Sequence, residues 1–272
     1  MNDYLLRYQE WLEKSVGWVR EDLESLKYLP SRDFEAQLRE RFGVLADFGT
    51  GGIRQIVRAG TNGLNDPWVT RIALGLAQMA KSTVIAYDTR NRSRYFALLA
   101  ARTLAAQGVK VFLFDEPAPT PVLSFAIRRM KAQSGMVITA SHNKPAYNGI
   151  KVYDHRGVQM IPRQIEALKS HIEAFGFFEN VPETFAYNLL GEEIKTEYLQ
   201  EVCRENAPYD QRDGRKQVIL YTPLHGTGGA YIPPLLDQFG FDCRIVEMQS
   251  RPDPAFPTVA YPNPEDPEAF KM

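Results

Sequence analysis

The sequence predicts the α/β class: three-layer α/β/α domains with mixed sheets, preceded by an N-terminal helical extension. Three observations point there. Between residues 66 and 131, short apolar runs alternate with helical patterns of about 10 to 15 residues, the signature of α/β layering. Two β-branched segments, Met136-Val-Ile138 and Ile150-Lys-Val-Tyr153, flank a run of turn-forming residues and read as a hairpin. The first 27 residues carry apolar side chains at near-helical spacing. With 272 residues, 44% of them hydrophobic and 11% aromatic, the chain is long enough for one large or two ordinary domains with proper cores.

Taken in order, Tyr4, Leu5, Tyr8, Trp11, Leu12, Val16, Trp18, Val19, Leu23 and Leu26 predict one helix over 4–27. Its aromatic stripe reads as a packing face rather than a binding site. A short helix follows over 33–42, with Ser31 as its N-cap. The run Asp47-Phe-Gly-Thr-Gly-Gly-Ile-Arg54 is a Gly-rich loop entering a strand. Its glycines let backbone approach a ligand, and Thr50 and Arg54 can donate to phosphate. A helix is expected over 66–79, with Asp66 as cap and Pro67 in the first position. Strand 83–87 then ends at Asp88-Thr-Arg90, helix 93–107 closes at Gly108, and strand 109–114 precedes helix 121–131. Arg90, Arg92 and Arg94 stand at a strand's carboxyl end, where such sheets bind ligands. We read them as structural or solvated.

Beyond the hairpin, 162–175 reads as a helix, 179–187 as a polar stretch, 191–204 as a helix and 205–215 as a loop. The domain boundary is placed near residue 190, giving units 1–190 and 191–272. The second unit opens with strand 217–221, which runs into His225-Gly-Thr-Gly-Gly229 and a helix over 230–238. Those glycines either hold an anion at the helix start or let strand and helix pack closely. His225 reads as structural. Strand 242–247 and a Pro-rich tail close the chain.

The chemistry centres on the hairpin turn, Thr139-Ala-Ser-His-Asn-Lys-Pro-Ala-Tyr-Asn-Gly149. It presents Ser141 and His142 at an exposed tip, while Lys151 on the return strand points away from Ile150 and Val152. A hydroxyl, an imidazole and an amine thus share one loop. The bland alternative is a turn whose polar groups bond their own backbone. A serine hydrolase fits poorly, because the Gly-x-Ser-x-Gly elbow is missing and adjacent Ser and His on extended backbone point apart. A hydroxyl that carries a phosphoryl group, with cations nearby, fits better.

Thr139-Ala-Ser-His-Asn143 with Tyr147-Asn-Gly-Ile-Lys151 resembles the phosphoserine loop of the α-D-phosphohexomutases, the phosphoglucomutase/phosphomannomutase family. Phe48-Gly-Thr-Gly-Gly-Ile-Arg54, Tyr87-Asp-Thr-Arg90 and Tyr221-Thr-Pro-Leu-His-Gly-Thr-Gly-Gly229 resemble it in the same order, as does the tail from Pro252 to Glu265. The leading helices are similar to the branch with phosphopentomutase-like members. The resemblance implies a phosphosugar mutase that interconverts hexose 1-phosphate and hexose 6-phosphate, glucose above all, through a phosphoserine and a bisphosphorylated sugar. It implies Ser141 as phosphoryl carrier, His142 and Lys151 as its catalytic partners, and Arg54, Thr50 and Asn143 as substrate-binding residues. It also implies Mg²⁺ held partly by the phosphoryl oxygen on Ser141, and a hexose 1,6-bisphosphate activator.

Two departures stand out. Lys144 precedes Pro145 where the family usually has Pro directly after Asn143, and no Asp-x-Asp of the family's metal loop occurs in the chain. An N-terminal portion of a longer enzyme is therefore expected, its second domain incomplete before the metal loop and the portion alone inactive. The alternative is a non-catalytic sugar-phosphate-binding or interaction module.

A formal charge of −1 gives no reason to expect a nucleic-acid partner. The N-terminus has no signal-peptide core, and no apolar run is long enough for a membrane span, so a cytoplasmic protein is expected. Cys203 and Cys243 read as reduced thiols, and Asn91-Arg-Ser93 fits a glycosylation sequon by pattern only. Small-molecule sugar phosphates are the partners expected.

Overall fold

In the computed structural model, residues 3–49, 51–206, 218–260 and 262–270 are described. A six-stranded sheet in the order β1-β5-β4-β2-β3-β6 organises the first unit. Its strands are β1 (Gly52–Ile56), β2 (Ser82–Tyr87), β3 (Lys110–Phe114), β4 (Ser134–Ile138), β5 (Tyr147–Asp154) and β6 (Tyr187–Leu190). β4, β2, β3 and β6 run parallel, while β5 lies antiparallel to both β4 and β1, so the sheet is mixed.

Alternation along the strands sorts two cores. Ile85, Tyr87, Val111, Leu113, Met136, Ile138, Ile150 and Val152 face α4 (Asp66–Met79), α5 (Ser93–Ala106) and α7 (Pro162–Glu173). Val84, Ala86, Phe112, Phe114, Val137 and Tyr153 face α6 (Thr120–Arg129) and α8 (Glu192–Asn206). Both faces of the sheet are covered, which is why its central strands read as continuous apolar runs. The three-layer α/β/α reading holds.

The leading segment is α1 (Asp3–Lys14), α2 (Gly17–Ser25) and α3 (Ser31–Phe42). The single helix expected over 4–27 is thus broken, at Gly17 with φ +54°, a left-handed turn that glycine takes without steric cost. Trp11, Leu23, Leu38 and Phe42 are almost fully buried between these helices and stabilise the extension by roughly 1.5–3 kcal/mol each. The aromatic stripe is a packing face, as expected: Trp11 meets Phe177 and Phe178 at 5.1 and 5.3 Å. The Trp18 indole N–H donates to Asp66 at 2.8 Å and pins the extension to α4.

Several boundaries shift. α3 starts at Ser31 itself, with Pro30 before it as cap residue. The cap of α4 is Asn65, whose side chain accepts from the Trp68 N–H, and not Asp66. The expected polar stretch ends in strand β6, which lies parallel to β3 at the sheet edge. The loop expected over 205–215 lies outside the described residues from 207 onward, while 205 and 206 close α8.

The second unit carries β7 (Val218–Tyr221) parallel to β8 (Asp242–Ile245), with α9 (Ile232–Gln238) and α10 (Glu247–Ser250). The helix expected over 230–238 starts two residues later, at Ile232, as α9, and a 3-10 turn, Thr227–Ala230, precedes it. Strand β8 ends two residues early, where α10 begins. No helix among the described residues is long and apolar enough to cross a membrane.

Candidate active site

The carboxyl ends of β2 and β4 open into a cleft of about 480 Å³. One wall carries Asp88, Thr89, Arg90, Thr139, Ser141 and His142; the other is built from Tyr221 to Leu224, from Gly226 to Gly228 and from Phe256. Ser141 and His142 are exposed at the loop tip, as the sequence predicts. Their relation differs from expectation. Ser141 has φ 56°, in the left-handed region, so the backbone there is not extended. The turn swings Ser141 Oγ to 3.4 Å from His142 Nδ1 instead of setting the two apart.

The loop is held from several directions. The Ser141 N–H donates to Thr139 Oγ1 at 2.9 Å, and the Thr139 hydroxyl is bonded in turn to Asp88. Asp88 accepts from Ser93 Oγ at 2.6 Å, and Ser93 Oγ accepts from Asn148 Nδ2 at 2.8 Å. Burial pushes the Asp88 carboxyl above its ordinary range, opposed by these bonds and by the Arg90 charge. At the base of the return strand, Gly149 leaves no room for a side chain: a Cβ there would lie 2.5 Å from the Ile53 carbonyl oxygen and 2.7 Å from that of Thr139.

β1 brings in the cation. Pairing of Gly52 with Lys151 and of Arg54 with Gly149 places Arg54 alongside the loop, where its guanidinium donates to Asn143 Oδ1 at 3.2 Å. That register needs Gly52, which has φ +137°, because a Cβ would lie 1.9 Å from the Ile150 carbonyl oxygen. Lys151 pairs with Val137 of β4, on the face opposite Ile150 and Val152. Burial lowers its pKa below the ordinary lysine value, and the Arg54 charge lowers it further, against an opposing pull from Asp88. The β1–β5–β4 side of the sheet therefore carries all five residues: Arg54 on β1, Lys151 on β5, and Ser141, His142 and Asn143 on the turn between β4 and β5. Thr50 lies outside the described residues.

Arg90 is the residue that sequence reasoning undervalued. It is structural but not solvated: only 4% exposed, it donates to the carbonyl oxygens of Ser141, Asn143, Lys144 and Tyr147. Its place directly after strand β2 was the available signal. His225 is structural, as read, with Nδ1 3.0 Å from the Arg251 carbonyl oxygen and Nε2 2.9 Å from Thr258 Oγ1.

Among the described residues no group of three or more His, Cys, Asp or Glu is placed to hold a metal ion. The described side chains do not by themselves form a Mg²⁺ site.

Comparison with known proteins fits this geometry. Residues 46–177 match the family described as phosphoglucomutase/phosphomannomutase, alpha/beta/alpha domain I, and residues 196–272 match its alpha/beta/alpha domain II. A phosphoglucomutase of Staphylococcus saprophyticus is 34% identical over 270 residues, covering 92% of this chain and 48% of the relative. One from Staphylococcus epidermidis is 36% identical over 269 residues, covering 93% and 49%. This chain thus spans about half the length of the curated relatives it matches. A solved structure from Thermus thermophilus, assigned as a phosphomannomutase, superposes with a TM-score of 0.74 at 26% identity, over 84% of this chain and 50% of that one.

Proposed function

Because the chain belongs to the phosphoglucomutase/phosphomannomutase family, we propose that it supplies the phosphoryl-carrying half of a mutase that interconverts hexose 1-phosphate and hexose 6-phosphate. Glucose is the preferred hexose, the sugar in the names of its Staphylococcus relatives. The observation that carries the reading is one exposed hydroxyl, Ser141, on a backbone-anchored turn whose Asn143 accepts from Arg54, a cation that in turn acts on the charge of Lys151.

In this reading Ser141 Oγ carries the phosphoryl group. The P–O bond to Ser141 breaks as a sugar hydroxyl attacks phosphorus, giving a hexose 1,6-bisphosphate; after the sugar turns round, the other phosphoryl returns to Ser141. Mg²⁺ would supply charge neutralisation for the transferring group. The chain's own residues do the rest. Lys151, its pKa lowered by burial, is the acid/base or charge partner of the reacting hydroxyl. The proton leaving the attacking sugar oxygen passes to the Ser141 oxygen as its P–O bond breaks, and the reverse transfer moves it back. His142, 3.4 Å from Ser141 Oγ, orients the substrate or shares that proton. Arg54 holds the non-transferring phosphate together with Asn143, and Thr50 is assigned as a further donor to substrate. The same reading assigns residues 1–190 to one domain and 191–272 to part of a second, with sugar phosphates as the partners.

The direct test incubates the purified chain with glucose 1,6-bisphosphate and Mg²⁺ and maps the product by peptide mass spectrometry. One phosphoryl group on Ser141, absent in Ser141→Ala, supports the reading. Tight binding of the bisphosphate without any transfer to Ser141, in this chain and in a protein extended to the relatives' length, would leave a binding module and sink the mutase.

A further inference from the structure

Arg90 has a connection pattern that the proposed chemistry does not use. Its side chain is 1% exposed, and its nearest acid, Asp88, stands 3.6 Å away. A guanidinium offers five N–H donors in a fixed fork. Here Nε reaches the Ser141 carbonyl oxygen at 3.3 Å, and Nη2 reaches it at 2.8 Å and also bonds that of Asn143. Nη1 reaches the carbonyls of Lys144 at 3.0 Å and Tyr147 at 3.1 Å. The whole fork is spent on the backbone of one turn. Those carbonyls run from the left-handed bend at Ser141 to the first residue of β5.

The guanidinium also has a lid. The Phe256 ring, from the second unit, lies 5.0 Å from Arg90 Cζ and is 3% exposed. One residue earlier, Thr89 Oγ1 donates to the His225 carbonyl oxygen at 3.0 Å, a second link to the same unit. Burial lowers the Arg90 pKa, yet an arginine keeps its proton in proteins, so the group stays a cation that must be satisfied where it sits. The ring face and the carbonyls together meet that need.

We propose that Arg90 is a positioning residue: it holds the backbone of the Ser141 turn in the presenting conformation, and Phe256 seats it, so that the shape of the turn depends on the second unit being docked. The conformational half stands on the contacts alone. The kinetic half rests on Ser141 being the phosphoryl carrier.

Arg90→Lys and Phe256→Leu test it. Lysine keeps the charge but loses the planar fork; leucine keeps bulk but loses the ring face. Two readouts are taken on each protein: hydrogen exchange of the Asn143 and Tyr147 amides, which bond the Ala140 and Lys144 carbonyls across the turn, and the rate of Ser141 phosphorylation as a function of glucose 1,6-bisphosphate. The expected result is faster exchange at both amides, with the amides of β2 and β4 unchanged as the fold control. The maximal phosphorylation rate should fall by about 10- to 100-fold with little change in the half-saturating concentration, as for a misplaced rather than an unbound reactant. Unchanged exchange in Arg90→Lys overturns the positioning role. Unchanged exchange in Phe256→Leu beside a loosened Arg90→Lys overturns the dependence on the second unit. If neither the unmodified chain nor a protein extended to the relatives' length is ever phosphorylated, the phosphoserine reading fails, and the exchange data still decide for or against Arg90.

Discussion

Ser141→Gly should be more stable than Ser141→Ala, and the difference measures the strain in the turn. Both substitutions delete the hydroxyl and its 3.4 Å approach to His142, so only the backbone separates them. At φ 56° an L side chain costs roughly 1–2 kcal/mol in the left-handed region. Against that, the freer unfolded chain of glycine costs about 0.5–1 kcal/mol. The balance favours glycine by about 0.5–1 kcal/mol, and in a chain of this size about 1 kcal/mol moves Tm by ~2–4 °C. Serine and alanine should fall within about 0.5 kcal/mol of each other, since a contact at 3.4 Å lies at the limit of hydrogen bonding. Thermal unfolding of the three unphosphorylated proteins, followed by circular dichroism in one buffer, gives the order directly. In a full-length enzyme both variants should also be inactive. An alanine variant as stable as the glycine variant, or more so, would show a relaxed turn and refute the reasoning.

Lys151→Met should be more stable than the natural chain at pH 7 and should slow turnover strongly in a full-length enzyme. Burial lowers the folded pKa of Lys151 below its ordinary 10.5, so its contribution is fully favourable only above the unfolded value and is lost as pH falls through the folded one. The gain from methionine should therefore shrink as urea midpoints are measured from pH 7 towards pH 10; a gain that stays constant with pH, or near-normal turnover, would contradict the assignment. Gly149→Ala forces a Cβ to within 2.7 Å of two backbone oxygens and should cost about 3 kcal/mol, read as a lowered urea midpoint. A cost below about 0.5 kcal/mol would mean that β1 and the turn yield easily to one another.

Much of the fold was legible because its strands are buried on both faces. The runs at 84–87, 111–114 and 136–138 are unbroken by any charged or small polar residue that would confuse the period. β6 escaped notice for the opposite reason: it is short and lies at the edge, and Leu189 is 62% exposed, so neither alternation nor a continuous run marks it. The break before α2 hangs on one glycine, and helical periodicity tolerates one glycine without comment. At the site, residue types carried their own message for Ser141, His142 and Lys151. Arg90 did not, because its partners are carbonyl oxygens, which every residue has and no sequence pattern displays. The left-handed bend was equally invisible, since Ser141 is not one of the residues that announces such a turn.

The order of strands across the sheet has a consequence for how the molecule comes into being. Among the described strands β1 pairs with β5 alone, and β5 follows it after β2, β3, β4 and three intervening helices. During synthesis from the N-terminus, the strand that carries Arg54 leaves the ribosome early and has no edge to join until Tyr147–Asp154 has emerged. The parallel strands between them can associate first, through shorter loops. The border that carries Arg54 is thus a late arrival on an already layered scaffold, and a nascent chain halted before residue 147 would hold a sheet with no place yet for strand β1.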